Sequence, residues 1–455
     1  MLDLTPKEHV ERTALRINSC KTCQPVGALF CALGVHNCMP YSHGSQGCVA
    51  YHRTFLTRHF KEPAMASTSS FTEGACVFGG GSNLKQGTKN VFDIYNPDII
   101  AVHTTCLSET IGDDLNSFIM DLDVPEGKLV IHTNTPSYVG SHVDGYFNMM
   151  CGFIKYLSKS TGVKNGKTAI FPGWSNPGDL REFKRLLELM DVPYTMFPDQ
   201  SGVMDAPMTD HYEFYPKGGT TIPEIEALGD CQLVIGLGEL TVTEPCAQLK
   251  NKCKVDYEVL PYPIGIENTD KFILALSKIN GGTIPYAIEE ERGQLIDLML
   301  DAHIWFSGKT CAIFGDPDYV LGLTSLVLEM GMIPKYVLTG TPGAVFMHKA
   351  KALFEQYNVA DQCIAKEFGD LFDLQQWIKE CPVDLLIGSS YGKQIARAED
   401  LPFVRAGFPV LDRYGHPLAP ITCYKGAIRL VEQISNALMD RIDRDVADED
   451  FDVIM

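Results

Sequence analysis

Short apolar runs, each closed by a polar or glycine-rich turn, recur along the chain: Ile99-Ile-Ala-Val-His103, Lys128-Leu-Val-Ile-His132, Gly166-Lys-Thr-Ala-Ile-Phe171 and Gly308-Lys-Thr-Cys-Ala-Ile-Phe314. They are rich in β-branched residues and do not alternate apolar with polar, the pattern of strands buried on both faces of a parallel sheet. The similar openings at Gly166 and Gly308 mark a second and a third strand–helix series. The predicted class is therefore α/β, with three doubly wound (Rossmann-like) parallel-sheet domains at 1–165, 166–307 and 308–455.

Helices fill the intervals. Thr5-Pro6 reads as cap and first position of a helix over 4–16. A helix that begins near Cys48 continues through 54–62 and stops at Pro63. Gly79-Gly-Gly81 precedes a helix capped by Ser82, where three glycines either hold an anion or leave a flat surface for another protein. A helix over 287–306 carries an apolar stripe at Ile288, Leu295, Ile296, Met299, Leu300 and Ile304, with Asp297 and Asp301 four apart on its other side. Like charges at that spacing cost a few tenths of a kcal/mol, roughly, unless a hard cation reverses the repulsion. A terminal helix and an acidic tail, Asp448-Glu-Asp-Phe-Asp, close the chain.

Composition narrows the classes. With 455 residues the chain is too long for a single core. A formal charge of −19 argues against nucleic acid as a partner. No apolar run is long enough to cross a bilayer, and the N-terminus lacks the basic and apolar parts of a signal peptide. Fifteen cysteines in such a chain point to a reducing cytoplasm, and to thiols or cluster ligands rather than disulfides.

Two nucleotide motifs fail on inspection. Gly166-Lys-Thr168 and Gly308-Lys-Thr310 lack the leading glycine of a phosphate-binding loop, and Gly236-Leu-Gly238 lacks the third glycine of the dinucleotide fingerprint. Pro245 is expected to interrupt the helix that should follow it. Among the cysteines, Cys23, Cys48 and Cys106 stand apart. Gln24-Pro25 follows the first, Gly44 and Gly47 precede the second, and the third sits just past the run Ile99–His103, at the strand end where open α/β sheets build their sites. A thiolate in such a turn can bind soft iron. Cys20 completes a literal Cys-x-x-Cys, but no second pair exists for a zinc ribbon, and Cys20 reads as incidental. Cys31 and Cys38 lie in apolar context and read as core.

Four motifs occur in order: Cys23-Gln-Pro-x-Gly-Ala28, His43-Gly-Ser-Gln-Gly-Cys48-x-x-Tyr51-x-Arg53, Phe71-Thr-Glu-x-Ala-x-Val-Phe78-Gly-Gly80 and Thr104-Thr-Cys106-x-x-Glu109-x-Ile-Gly-Asp-Asp114. Together they resemble the β subunits of nitrogenase component 1, the molybdenum–iron protein family, and the segment Leu401–His416 resembles the same family. That resemblance implies an oxidoreductase reducing dinitrogen to ammonia, with reduced ferredoxin or flavodoxin as donor and ATP hydrolysed by a separate iron protein. It implies an eight-iron, seven-sulfur P-cluster shared with an α subunit, ligated by Cys23, Cys48 and Cys106 and, in the oxidised cluster, by Ser137. Ser45 and Tyr51 would lie toward the molybdenum–iron cofactor, which the α subunit holds. Phe78 would lie where the iron protein docks. The carbonyl of Lys61 with Glu62, Asp297 and Asp301 would bind a divalent cation, iron or calcium, between two β chains of an α2β2 heterotetramer. No catalytic residue is expected in this chain, and neither nucleic acid nor membrane as partner.

The rival readings separate on residues. Vanadium and iron-only nitrogenases tend to read His-Gly-Gly where this chain has Ser45. A non-catalytic cofactor-assembly scaffold would lack part of the Cys/Cys/Cys/Ser set. A protochlorophyllide-reductase-type subunit is disfavoured by the density of matches around Cys48 and Cys106. With only 22 residues before Cys23, the chain is expected to be a short form without an N-terminal extension.

Overall fold

A computed structural model describes Glu8 and residues 16–447; the expected helix over 4–16 and the acidic tail from Asp448 lie outside these. The chain divides into two compact units. One comprises Thr22–Pro261 with Arg413–Ala419, the other Tyr262–Asp412 with the segments before Thr22 and after Ala419.

The first unit holds two sheets. The strands of the first are β1 (Cys38–His43), β2 (Ser67–Thr68), β3 (Ile99–Thr104) and β4 (Leu129–Thr133), in the order β2-β1-β3-β4 and all parallel. β1 and β3 run in register from Cys38 opposite Ile99 to His43 opposite Thr104. Every residue of both strands is buried, which explains the unbroken apolar runs. The helices are α1 (Gln24–Leu33), α2 (Gln46–Phe60), α3 (Glu73–Phe78), α4 (Gly81–Tyr95), α5 (Cys106–Ile111), α6 (Leu115–Met120) and α7 (His142–Leu157). Met39, Tyr41, Ile100 and Val102 pack against Leu84, Val91 and Phe92 of α4 and Leu115 of α6. The second sheet, β5 (Thr168–Phe171), β6 (Tyr194–Met196), β7 (Leu233–Leu237) and β8 (Tyr257–Leu260), has the order β6-β5-β7-β8, again parallel. Its helices are α8 (Pro177–Leu189), α9 (Ile222–Glu226) and α10 (Glu239–Cys253).

The second unit carries one parallel sheet of β9 (Thr310–Gly315), β10 (Ile333–Thr339), β11 (Ile364–Lys366), β12 (Leu385–Gly388) and β13 (Phe403–Arg405), ordered β11-β10-β9-β12-β13. Cys20 is buried here against Ala312, Phe314 and Leu338, as its reading as incidental to the Cys23 motif required. Cys31 and Cys38 are likewise buried. In each sheet the first strand has its sequence successors on both sides, so each contains a switch point of the doubly wound kind.

Two helix expectations are corrected. α10 runs unbroken through Pro245. Proline removes the hydrogen bond to the carbonyl four residues earlier and crowds that carbonyl with its ring, but the fully buried Val242, Cys246 and Leu249 hold the helix on its core side. The helix expected over 287–306 is two, after α11 (Ile266–Ile279): α12 (Tyr286–Asp301) and α13 (His303–Phe306). Ile288, Leu295 and Met299 are buried as expected, but Leu300 and Ile304 are 68% and 76% exposed. They share the solvent side with Asp297 and Asp301: Leu300 follows the buried Met299 by about 100° of helical rotation, and Ile304 lies beyond the end of α12, so the stripe was drawn too wide.

A candidate cluster site at the carboxyl edge of the first sheet

β1, β3 and β4 are adjacent and parallel, so the segments that follow them emerge at one edge. β1 leads through Ser45, the cap of α2, to Cys48 in its first turn. β3 leads through Thr105, the cap of α5, to Cys106, the first helical residue. β4 leads to the turn that contains Ser137. Cys23 reaches the same edge from another direction, as the cap residue of α1, whose far end feeds β1. β1 and β3 flank the switch point, where open sheets form their ligand crevice.

Polar contacts between motifs set the edge. Thr105 Oγ1 donates to the His43 carbonyl at 3.1 Å. This close approach requires glycine next door, since a Cβ on Gly44 would lie 1.9 Å from Thr105 Oγ1. Thr104 Oγ1 donates to Glu109 Oε1 at 2.5 Å and accepts from the Thr135 N–H at 2.6 Å, while Thr135 Oγ1 donates to the Thr104 carbonyl at 2.7 Å. The loop bearing Ser137 is thereby tied to the loop bearing Cys106. Gln24 Nε2 donates to the Val139 carbonyl at 2.9 Å, which ties the Cys23 segment to the same loop.

A second knot joins three of the sequence motifs. His43 Nε2 lies 2.9 Å from Asp113 Oδ2, and both carboxylate oxygens of Asp113 accept from the Gly80 N–H at 3.1 Å. Burial lowers the His43 pKa, against the pull of Asp113. The cap of α4 is therefore Gly80 and not Ser82, which is the second residue of the helix. The anion that the three glycines suit is the chain's own Asp113. A Cβ on Gly80 would strike the Phe71 ring at 2.1 Å and Asp113 Oδ2 at 2.6 Å, which accounts for glycine there. Phe78, the last residue of α3, is 91% exposed and Val77 beside it 74%.

The thiols differ in setting. Cys23 and Cys48 are half-buried and Cys106 is exposed. Burial pushes the Cys23 thiol up to about 11, eased by the Val26 N–H and the Thr22 hydroxyl and aggravated by Cys48. Such a thiol becomes a thiolate when a metal cation supplies the compensating charge. Ser45 Oγ lies 3.4 Å from Cys48 Sγ. Tyr51 is half-exposed, its hydroxyl 3.4 Å from Thr22 Oγ1. Among the described residues no three His, Cys, Asp or Glu side chains are grouped as ligands of one ion. Soft donors spread along a strand edge suit a ligand several irons wide, completed from outside this chain.

His52 is a neighbour that sequence reasoning passed over. Its Nε2 is 3.6 Å from Cys23 Sγ, and burial lowers its pKa to about 4. The only signal was its spacing, four residues after Cys48 and thus on the same helical face.

The remaining expected residues are not gathered. Lys61 ends α2 in the left-handed region at φ 67°, and Glu62 beside it has its carboxyl pKa raised by partial burial and then by Asp205. Asp297 and Asp301 are exposed on α12, in the other compact unit. A cavity of about 560 Å³ lined by Cys38, Met65, Met204 and Tyr215 adjoins the first residue of β1, so it opens at the strand edge opposite the thiols.

A parallel α/β fold with soft donors at a switch-point edge suits a cluster-carrying protein, and the sequence signature described as "Nitrogenase component 1 type Oxidoreductase" matches residues 23–439. The chain belongs to that family. It is 58% identical over 458 residues, covering all of both chains, to the nitrogenase molybdenum-iron protein beta chain of Clostridium pasteurianum. It is 38% identical to the chain of the same description from Methanothermobacter marburgensis, over 93% of this chain and 95% of that one. The solved structure "Nitrogenase Cp1 at pH 6.5" superposes with a TM-score of 0.98 at 58% identity over the whole of both chains.

Proposed function

We propose that this chain is the β-type subunit of a molybdenum–iron nitrogenase, an electron-relaying member of an α2β2 assembly that reduces dinitrogen to ammonia. The observation that carries the reading is the delivery of Cys48, Cys106 and Ser137 from three adjacent parallel strands to one edge, with Cys23 reaching it at the start of α1. Cys23, Cys48 and Cys106 would hold the chain's half of the P-cluster, the α subunit supplying the other thiolates, and Ser137 would be drawn in on oxidation. That group supplies a multi-electron store whose potential is set by thiolate ligation, burial and hydrogen bonds to sulfur.

The chain's own residues perform the positioning. Thr104, Thr105 and Gln24 fix the three loops relative to one another. Ser45 and Tyr51 stand toward the α subunit and its molybdenum–iron cofactor. Phe78 gives the iron protein, where ATP is hydrolysed, an apolar ring to bury. The Lys61 carbonyl and Glu62 of one copy, with Asp297 and Asp301 of the other, would hold a divalent cation. Among the described residues no helix is long and apolar enough to cross a membrane, which agrees with the proposed cytoplasmic setting.

Replacing Cys48 by Ala in the complex tests the ligand assignment. Iron per αβ pair should fall and the cluster's spectroscopic signal vanish, with the fold largely retained. Undiminished iron would refute it.

A further inference from the structure

His52 sits in the second turn of α2, 2% exposed, with its ring 6.4 Å from that of His103 and 6.0 Å from that of Tyr51. Its two nitrogens have different surroundings. Nε2 faces Cys23 Sγ at 3.6 Å, within reach of an N–H···S hydrogen bond. Nδ1 is buried and has no hydrogen-bond partner among the described residues. An imidazole carries its N–H where an acceptor waits, so the proton belongs at Nε2. Iron bound at Cys23 Sγ displaces the thiol proton to solvent and leaves the sulfur an acceptor only. The direction of the bond is then fixed: nitrogen donates, sulfur accepts.

We propose that His52 is a potential-setting residue, donating an N–H···S hydrogen bond to the Cys23 thiolate and raising the reduction potential of the cluster held there. A donor at a ligand sulfur stabilises the more negative, reduced cluster over the oxidised one. Tyr51 and Ser45 cannot substitute: the Tyr51 hydroxyl is placed at Thr22, and the Ser45 hydroxyl at Cys48. The position is not specified by the motif His43-Gly-Ser-Gln-Gly-Cys48-x-x-Tyr51-x-Arg53, in which His52 is an open place. A substitution at His52 leaves every proposed ligand in place, which makes it a place to set the potential separately from cluster assembly.

The inference rests on Cys23 as an iron ligand, and the test separates the two. In the assembled complex, iron content and the midpoint potential of the cluster are measured for the native chain, His52→Phe and His52→Gln. Phenylalanine keeps a planar ring but has no donor; glutamine keeps an amide donor. His52→Phe should retain its iron and shift to a more negative potential, with the reduced-to-oxidised ratio at fixed potential falling about tenfold, ~59 mV for one electron. His52→Gln should recover most of the shift. Full iron with an unchanged potential in His52→Phe overturns the proposal and leaves His52 a packing residue. Should the phenylalanine variant load poorly, the native complex decides. With ¹⁵N-labelled histidine and the cluster oxidised to a paramagnetic state, a nitrogen coupling that is lost in His52→Gln supports the bond, and the absence of such a coupling overturns it. Cys23→Ala with undiminished iron would instead sink the ligand assignment itself.

Discussion

Gly27 of α1 lies directly against the backbone of His142 in α7: a Cβ built on Gly27 would sit 1.7 Å from the His142 carbonyl oxygen and 2.7 Å from the Tyr146 nitrogen. The contact is reciprocal, since a Cβ on Gly145 would lie 1.8 Å from the Gln24 carbonyl oxygen. The partners in both contacts are backbone atoms, which cannot rotate aside. Gly27→Ala must therefore push α1 off α7 and carry Cys23 with it. The expected result is a loss of about 1–3 kcal/mol in denaturant unfolding, with reduced iron per chain. Gly74→Ala, where a Cβ would come no nearer than 3.9 Å to the Thr72 hydroxyl, is the matched control and should do neither.

Removing the charge from Asp113 should loosen the joint between three segments. Asp113→Asn keeps the shape but leaves the Gly80 N–H and His43 Nε2 facing a neutral amide. A charge-assisted hydrogen bond contributes roughly 1.5–3 kcal/mol. The variant should unfold at lower denaturant by that order and exchange the Gly80 amide faster. Unchanged protection at Gly80 would rule out the carboxylate as the cap of α4.

Phe78 presents its ring to solvent with Val77 beside it, on a six-residue helix that contributes only Ala75 to the core. Phe78→Ala should leave the fold and the iron content intact. Electron delivery from the iron protein should weaken by roughly tenfold in apparent affinity, the scale of a moderate hot spot. Undiminished ATP-coupled electron transfer would place the docking surface elsewhere.

Asp297 and Asp301 share the exposed side of α12 with Leu300, a mixture that suits a contact better than open water. In the double variant Asp297→Asn, Asp301→Asn, the cluster spectrum should persist while the assembly dissociates into αβ halves at higher concentration than the native one. Sedimentation across a dilution series, with and without chelator, reads this. Coincident curves would return both aspartates to a solvated face.

A pH effect should arise far from the cluster. Glu329, in the second unit at the end of the helix Pro317–Glu329, accepts from the Ile266 and Glu267 N–H groups at 2.7 and 3.0 Å and so caps α11. Burial raises its pKa from 4.5 to about 7, against those two hydrogen bonds. Between these values the folded state holds a proton that the unfolded state has lost. This contribution therefore weakens stability as pH rises from about 4.5 to about 7 and is level outside that window. The full change is about 3 kcal/mol. Glu329→Gln should remove this slope from a series of unfolding curves at different pH.

The sequence made the sheets and the thiol-bearing turns legible, because buried parallel strands leave unbroken apolar runs and the chemistry follows directly after them. Cys106 was singled out by the polar turn around it and by its place just past the run Ile99–His103. Partnerships between distant segments were not legible. The Asp113 carboxylate caps a helix 33 residues before it, and His52 meets a thiol 29 residues away, so neither leaves a local pattern. The misplacement of Leu300 and Ile304 has another cause: Leu300 sits one residue past Met299 and so turns away from the buried line, and Ile304 belongs to a separate short helix after Ala302.

The four candidate cluster contacts at the sheet edge come from four separate stretches of chain, and none can take its place alone. Cys48 and Cys106 reach the same edge only once β1 and β3 have paired, Ser137 only once Thr135 has engaged Thr104, and Cys23 only once α1 has seated on α7. A metal group offered to this edge would thus meet all of this chain's proposed donors in a finished domain and only some of them in an immature one. On the proposed assignment, cluster loading at such a surface would read the completed topology of the chain rather than the mere presence of cysteines.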